Sequence, residues 1–196
     1  MTLTDQLRRR FKGLLDMIGG FLNRLGLMPN TMTLLGLLGN TVGAYFLAKG
    51  EMTIGGIFIL LMGPIDALDG TMARLRGEPT EFGAFIDSVT DRYSELVIFG
   101  GLIYYYTQQG ETLPTMLAYL AAAGSVLVSY TRARAQSLGH ETKVGILTRM
   151  ERYLVLVPGL ILNYPVVSLW ILAVLANITA IQRVWDIRQK AHHPVK

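Results

Sequence analysis

Long apolar stretches dominate the hydrophobic pattern of this 196-residue chain. A helix needs about 20 mostly apolar residues to cross the core of a bilayer, and six stretches approach or reach that length. They cover residues 31–48, 52–73, 83–107, 113–133, 146–163 and 166–187. Glycines and an Asn-Tyr-Pro turn separate these stretches, as expected for connections between helices. The pattern therefore predicts an all-α integral membrane protein with six transmembrane helices.

The segment before the first stretch has a different pattern. Between Leu3 and Leu25, Leu, Ile and Phe residues recur at helical spacing, and Arg8, Arg9, Arg10 and Lys12 lie among them. A helix with one apolar face and a basic flank is typical of an element that lies in the membrane interface. We expect one domain over residues 1–196, made of an amphipathic juxtamembrane helix at 1–26 and a six-helix bundle at 27–190.

Composition and charge agree with a membrane protein and predict its orientation. The chain is 51% hydrophobic and 16% charged, and it contains no cysteine, which excludes disulfides and thiolate metal sites. Basic residues collect in the cytoplasmic loops of membrane proteins. If the N-terminus is cytoplasmic, only Lys49 falls in an outer loop. Six spans would place both termini in the cytoplasm at the cell membrane.

Four aspartates lie inside the second and third stretches. An ionised carboxylate near mid-bilayer costs about 2.5–3.5 kcal/mol, so these groups need compensation. Asp66 and Asp69 are three residues apart and Asp87 and Asp91 are four apart, so each pair shares one helix face. The turn predicted between residues 74 and 82 makes the two helices antiparallel. The two pairs can therefore converge at one depth.

Divalent cations are the natural counter-charge for four converging carboxylates. Oxygen ligands without Cys or a nearby His favour Mg²⁺, Mn²⁺ or Ca²⁺ over zinc. Such clusters serve phosphoryl transfer when two ions clamp the attacking and leaving oxygens. Carboxylates inside a membrane also line proton and cation paths, so a small ion transporter is the alternative to an enzyme.

The acids belong to a longer motif. The sequence Asp66-Ala-Leu-Asp69-Gly70-Thr-Met-Ala73-Arg74, then eight residues, then Gly83-Ala-Phe-Ile-Asp87-Ser-Val-Thr-Asp91 resembles the full signature of the CDP-alcohol phosphotransferase family. The six-helix layout and the N-terminal amphipathic helix are similar as well, so the resemblance spans nearly the whole chain. It implies an enzyme of phospholipid biosynthesis that transfers a phosphatidyl group from a CDP-activated lipid to an alcohol.

The resemblance also implies a role for each motif position. Asp66, Asp69 and Asp87 would hold Mg²⁺ or Mn²⁺, as two ions. Asp91 would complete the metal site and act as general base, taking the proton of the acceptor hydroxyl as that oxygen attacks the β-phosphoryl group of the donor. The site would open on the cytoplasmic side, and the resemblance implies a homodimer. No nucleic acid partner is expected.

A further set of residues would surround the CDP-lipid by the same resemblance. It comprises Pro29, Asn30, Thr31, Met32, Gly70, Ala73, Arg74, Thr80 and Gly83. The chemistry agrees, because glycines let a nucleotide approach the backbone, arginine pairs with diphosphate, and a helix N-terminus binds anions. Taken alone, the small residues also fit close helix packing and Arg74 also fits a flank that reaches the membrane surface.

Arginines near the ends of three helices are candidates for the acceptor site. They are Arg132, Arg134, Arg152 and Arg183. Charge asymmetry alone predicts most of these positions, although guanidinium groups also suit phosphate. The stretches Ser129-Tyr130-Thr-Arg132-Ala133-Arg134, Glu151-Arg152 and Gln182-Arg183 are similar to the inositol-phosphate pocket in one branch of the family. Residues 147–150 depart from the Glu-Arg-Pro-like run that often precedes the matching Glu-Arg.

These observations lead to an expected set of substrates. The donor is CDP-diacylglycerol or an ether-lipid CDP donor, and the acceptor is a phosphorylated polyol. Inositol 1-phosphate is the first candidate, and glycerol 3-phosphate or another alcohol such as serine is the alternative.

Overall fold

The computed structural model describes residues 10–77, 80–142 and 144–192. These residues form seven α-helices. The helices are α1 (Lys12–Arg24), α2 (Pro29–Ala48), α3 (Met52–Arg76), α4 (Glu81–Gln108), α5 (Thr112–Ser137), α6 (Arg149–Ile161) and α7 (Pro165–His192). The structure and its apolar helices confirm the prediction of an all-α membrane protein.

Four of the helices are long and apolar enough to cross a membrane. They are α2, α3, α5 and residues Pro165–Ala191 of α7. Helix α4 is long enough, but Asp87, Asp91, Arg92 and Glu95 make one part of it polar. Helix α6 has 13 residues, which at 1.5 Å per residue gives about 20 Å, less than the bilayer core. Two of the six predicted spans therefore lack the features of a simple apolar span.

The fifth predicted stretch begins as a loop for a local reason. Gly145 has a φ of 132°, a backbone conformation that residues other than glycine rarely adopt. The amide of Leu147 donates to the hydroxyl of Thr179 at 3.1 Å, so residues just before α6 bind α7 instead of extending the helix. Helix α6 consequently begins at Arg149 rather than near residue 146.

The predicted N-terminal amphipathic helix lies partly outside the described residues, which begin at residue 10 and so exclude Arg8 and Arg9. The described part contains α1, whose Leu14, Met17 and Phe21 side chains are exposed. Polar contacts join this region to α3, because Arg76 donates to the Leu27 carbonyl at 2.6 Å. Leu15 and Leu22 pack against a small core of Met32, Leu68 and Met72.

The main core is formed by buried residues of α2 to α7, and α2 packs against both α3 and α4. A Cβ added to Gly101 would lie 2.5 Å from the Ala44 carbonyl oxygen, so α2 and α4 cross with their backbones in contact. Only a residue without a side chain permits this approach. Large apolar residues such as Leu38, Leu61 and Ile181 are exposed on the outer surface, as expected for a protein surrounded by lipid.

A proline in α3 fixes the position of α6. Pro64 has no amide hydrogen, so it leaves the Leu60 carbonyl without its helical partner. The Tyr153 hydroxyl on α6 lies 2.8 Å from that carbonyl oxygen. A Cβ added to Gly63 would lie 2.7 Å from the same hydroxyl, so the tyrosine fits directly over the helix backbone. This contact brings the start of α6 beside the acidic part of α3.

Candidate functional site

Three of the four aspartates form one cluster. Ligand oxygens of Asp66 and Asp69 on α3 and of Asp87 on α4 lie within 4.8 Å of one another. The antiparallel arrangement of α3 and α4 produces this convergence, as the spacing of the acids predicts. Carboxylate oxygens this close repel one another unless a cation lies between them, and hard divalent ions prefer oxygen ligands. The donor set therefore fits Mg²⁺ or Mn²⁺.

Asp69 is held in place by two hydrogen bonds. Its Oδ2 accepts from the Thr33 hydroxyl of α2 at 2.7 Å, and its Oδ1 accepts from the Gly70 amide at 2.5 Å. Both Thr33 and Asp69 are buried, with 2% and 6% of their surface exposed. Thr33 lies one residue beyond the predicted CDP-lipid set of α2, which ends at Met32. The sequence feature that could have identified Thr33 is its polar side chain within a largely apolar helix.

Asp91 lies beside the cluster and contacts two arginines. Its Oδ1 is 2.6 Å from the Nη2 of Arg149, and its Oδ2 is 3.6 Å from Arg92. The same Nη2 of Arg149 also forms an ion pair with Asp66. Arg149 therefore joins α3 and α4 across the site. Arg149 is not among the predicted site residues, because its contact with Asp66 depends on how α6 packs against α3.

The residues predicted to bind the CDP-lipid lie around the N-termini of α2 and α4 and the end of α3. Thr80 caps α4 by accepting from the Gly83 amide at 3.0 Å. A Cβ added to Gly83 would lie 3.6 Å from Asn30 Oδ1, so the two N-termini are adjacent. Asn30, Thr31 and Thr80 are exposed. This region can accept an anionic ligand.

Other members of the predicted CDP-lipid set differ in their surroundings. Pro29 is the first residue of α2, and Met32 is 6% exposed within the small core, so its side chain packs rather than faces a ligand. Arg74 is exposed and donates to the Thr71 hydroxyl at 2.9 Å. Gly70 and Ala73 are partly exposed on α3, and Gly70 lies close to the Arg74 side chain.

The four acceptor arginines divide into a buried and an exposed pair. Arg152 and Arg183 are each 4% exposed, whereas Arg132 and Arg134 are exposed. Arg183 donates to the carbonyls of Val144 at 3.0 Å and Val128 at 2.6 Å, and Arg132 and Arg152 are the like charges that act on it. Arg134 donates to Ser137 at 3.3 Å. Backbone carbonyls thus fix Arg183 in a region of positive charge.

Glu95 is a further residue that the sequence analysis missed. It lies four residues after Asp91 on α4, and its Oε1 is 2.6 Å from the Arg152 Nη2. Three buried polar atoms, Glu95 Oε2, Arg152 Nε and Gln182 Oε1, have no hydrogen-bond partner among the described residues. Buried polar atoms are rarely left unpaired, so the Glu95–Arg152 pair is suited to contact a polar ligand. Asp87, Asp91 and Glu95 follow one another at intervals of four residues and so share one face of α4, and this spacing could have identified Glu95 from the sequence.

Comparisons with known proteins identify the family of this chain. The sequence model of the CDP-alcohol phosphatidyltransferase family matches residues 26–182. The phosphatidylinositol phosphate synthase of Streptomyces avermitilis is 37% identical, over 96% of this chain and 84% of that protein. The archaetidylinositol phosphate synthase of Pyrococcus horikoshii is 32% identical, over 96% of this chain and 98% of that protein.

Solved structures of a related protein are similar in fold. The crystal structure of the phosphatidylinositol phosphate synthase of Mycobacterium tuberculosis with CDP-DAG bound is 30% identical, with a TM-score of 0.82. The match covers 87% of this chain and 92% of that chain. A second structure of that protein, in complex with manganese and citrate, has the same TM-score of 0.82.

Proposed function

Because this chain belongs to the CDP-alcohol phosphatidyltransferase family, we propose that it transfers a phosphatidyl group from CDP-diacylglycerol to inositol 1-phosphate, giving phosphatidylinositol phosphate and CMP. Membership of a transferase family decides between the enzyme and the ion transporter that the acidic residues alone left open. The observation that carries the proposal is the three-aspartate cluster beside Asp91, together with the buried arginines of α6 and α7.

The metal would be held by Asp66, Asp69 and Asp87. This donor set fits Mg²⁺ or Mn²⁺, and we propose that two ions bind; the related M. tuberculosis structure contains manganese. When bound, the ions supply positive charge that stabilises the phosphoryl oxygens and the leaving group. Asp91 is proposed to complete the metal site, because one nitrogen of Arg149 contacts both Asp91 and Asp66, so these two carboxylates lie close together.

The chain's own residues would carry the rest of the reaction. Asp91 takes the proton of the acceptor hydroxyl, and that oxygen forms a bond to the β-phosphorus of the donor. The bond between this phosphorus and the oxygen that bridges to the α-phosphate breaks, and CMP leaves with the electron pair. Thr33 holds Asp69 in orientation throughout, since its hydroxyl donates to that carboxylate at 2.7 Å.

The donor would bind at the paired helix N-termini. Asn30, Thr31 and Thr80 are exposed beside Gly83, and Pro29 and Met32 fix the start of α2. Gly70 and Ala73 give the nucleotide room near the α3 backbone, and the exposed Arg74 can pair with the diphosphate. The relative from P. horikoshii bears the name archaetidylinositol phosphate synthase, so an ether-lipid CDP donor is a second candidate.

The acceptor phosphate would bind among Arg132, Arg134, Arg152 and Arg183. The buried pair supplies a fixed positive field, and the exposed pair can move to meet a ligand. The relatives from S. avermitilis and P. horikoshii both bear names of inositol phosphate synthases, which favours inositol 1-phosphate over glycerol 3-phosphate. The unpaired atoms of Glu95, Arg152 and Gln182 can meet the hydroxyl groups of a polyol.

We also propose the membrane arrangement that the hydrophobic pattern predicts. Residues 1–196 form a single domain in which α2–α7 all cross the membrane and the N-terminal amphipathic helix lies in the interface. The polar part of α4 is shielded by its neighbours, and α6 is extended by the loop before it. The basic residues favour cytoplasmic termini and a cytoplasmic active site at the cell membrane. The family resemblance supports a homodimer.

The proposal can be tested with purified full-length protein in lipid nanodiscs. CMP release from CDP-diacylglycerol is measured with Mg²⁺ or Mn²⁺ and, separately, inositol 1-phosphate, glycerol 3-phosphate, inositol or serine. We expect release with inositol 1-phosphate, and loss of release when EDTA removes the metal. Release that responds only to an unphosphorylated alcohol would contradict the acceptor assignment.

An arginine variant tests the acceptor pocket directly. Arg132 is exposed, so Arg132→Gln should fold normally and raise the KM for inositol 1-phosphate while leaving the KM for the donor unchanged. Arg24→Gln is the control, because Arg24 is an exposed arginine at the end of α1. Equal KM values for the acceptor in the two variants would argue against phosphate binding at Arg132.

A further inference from the structure

Arg149 is paired with two of the carboxylates at the candidate site. One nitrogen of its guanidinium group, Nη2, pairs with Asp66 on α3 and lies 2.6 Å from Asp91 on α4. Asp66 is also one of the three aspartates whose oxygens lie within 4.8 Å of one another. The guanidinium therefore neutralises carboxylates that belong to the proposed metal site and to the proposed general base.

Local helix preferences do not account for this position. Arg149 is the first residue of α6, and a positive charge at a helix N-terminus is unfavourable because it opposes the helix dipole. The tertiary contacts do account for it. Tyr153, one turn further along α6, lies 2.8 Å from the Leu60 carbonyl oxygen, and this contact holds the same face of α6 against α3. Arg149 is thereby aimed at Asp66.

A divalent cation and this guanidinium weaken each other's binding at Asp66. Each stabilises the same carboxylate, and the two positive charges repel each other at short distance in a medium of low dielectric constant. The Arg149 side chain has 49% of its surface exposed, so it has room to leave. Its departure would also release Asp91, which it holds in the same contact.

We infer that Arg149 is an internal counter-ion that exchanges with the metal: it binds Asp66 and Asp91 in the metal-free protein and is displaced when a divalent cation enters. The exchange couples two events, because metal loading at Asp66 frees the Asp91 carboxylate at the same time. It also leaves a mobile guanidinium at the mouth of the site, where a phosphate group can accept its hydrogen bonds. This inference rests on the proposed metal-dependent function of the same aspartates.

Metal affinity without substrate tests the exchange. Mn²⁺ binding to full-length protein in nanodiscs is measured by electron paramagnetic resonance for the wild type, Arg149→Gln and Arg92→Gln. Arg92 is the matched control, because it lies 3.6 Å from Asp91 and adds the same formal charge, whereas the ion pair of Asp66 is formed with Arg149. We expect about tenfold tighter Mn²⁺ binding in Arg149→Gln, because in the wild type the ion pairs of Arg149 compete with the metal and raise the apparent Kd. In Arg92→Gln the Kd for Mn²⁺ should change by at most about twofold.

A measurement on the wild type complements the variants. Amide hydrogen exchange in the first two turns of α6 should become faster when Mn²⁺ is added, because the ion pairs to α3 and α4 are lost. In Arg149→Gln the exchange should be fast from the start and should not respond to Mn²⁺. If Arg149→Gln does not fold, the wild-type exchange still decides.

The outcomes separate this inference from the proposed function. Weaker or unchanged Mn²⁺ binding in Arg149→Gln, or wild-type exchange in α6 that slows or stays constant on metal addition, would overturn the exchange. Either result would leave metal binding by the aspartates intact. A wild-type protein that binds no Mn²⁺ at all would instead refute the metal-dependent function and the exchange with it.

Discussion

The hydrogen bond between Thr33 and Asp69 gives a direct test of how α2 supports the metal site. Thr33→Val removes the hydroxyl that donates to Asp69 Oδ2 at 2.7 Å but keeps a side chain of nearly the same shape. Both residues are buried, so water does not replace the lost donor easily. A hydrogen bond to a charged group contributes about 1.5–3 kcal/mol.

That range predicts the size of the effect on metal binding. About 1.4 kcal/mol corresponds to a factor of ten, so Mn²⁺ affinity should fall by about 10- to 100-fold, the usual cost of losing a group that orients a metal ligand. The assay is Mn²⁺ titration of full-length protein in nanodiscs, followed by CMP release at saturating Mn²⁺. The release rate should recover in large part at saturation, because the variant weakens binding of the metal more than it changes Asp91.

Thr41→Val is the matched control on the same helix. The Thr41 hydroxyl is exposed and donates to the Leu37 carbonyl at 2.8 Å, so it supports only the helix itself. We expect this variant to bind Mn²⁺ as the wild type does. A change of less than about twofold in Thr33→Val would refute the reasoning, because a buried bond to a charged metal ligand cannot be that weak.

Two further predictions concern packing and buried charge. Gly101→Ala should lower the melting temperature, at a cost of about 1–3 kcal/mol, because the added Cβ would lie 2.5 Å from the Ala44 carbonyl oxygen. Gly100→Ala is the control and should leave the melting temperature unchanged, because nothing lies within 4 Å of the added Cβ. Equal melting temperatures of the two variants would contradict the close crossing of α2 and α4. Glu95→Gln should destabilise the protein by about 3–5 kcal/mol, because it leaves the charge of Arg152 buried without its partner at 2.6 Å. Denaturation of Glu95→Gln at wild-type temperature would show that the pair adds nothing.

The sequence predicted most of the fold because hydrophobic runs and turn residues are local signals. Gly77, for example, ends α3 with a φ of 69°, as the turn between the two acidic helices requires. The start of α6 was missed because it depends on a distant contact. The hydroxyl of Thr179 binds the Leu147 amide across 32 residues of sequence, and no pattern within residues 146–163 reports this.

The candidate site divides in the same way. Convergence of Asp66, Asp69 and Asp87 followed from their spacing on two antiparallel helices, and the structure places their oxygens within 4.8 Å. The Arg149 ion pairs could not be predicted, because they depend on how α6 lies against α3. The carbonyl contacts of Arg183 have the same origin, since they join α7 to residues 39 and 55 positions away.

One competition experiment tests the central claim most directly. Full-length protein in nanodiscs receives CDP-diacylglycerol, Mg²⁺ and equal concentrations of inositol 1-phosphate and glycerol 3-phosphate, and the lipid products are identified by mass spectrometry. We predict that phosphatidylinositol phosphate is the main product and that Asp91→Asn forms neither lipid. A predominance of phosphatidylglycerophosphate, or undiminished product in Asp91→Asn, would contradict the account.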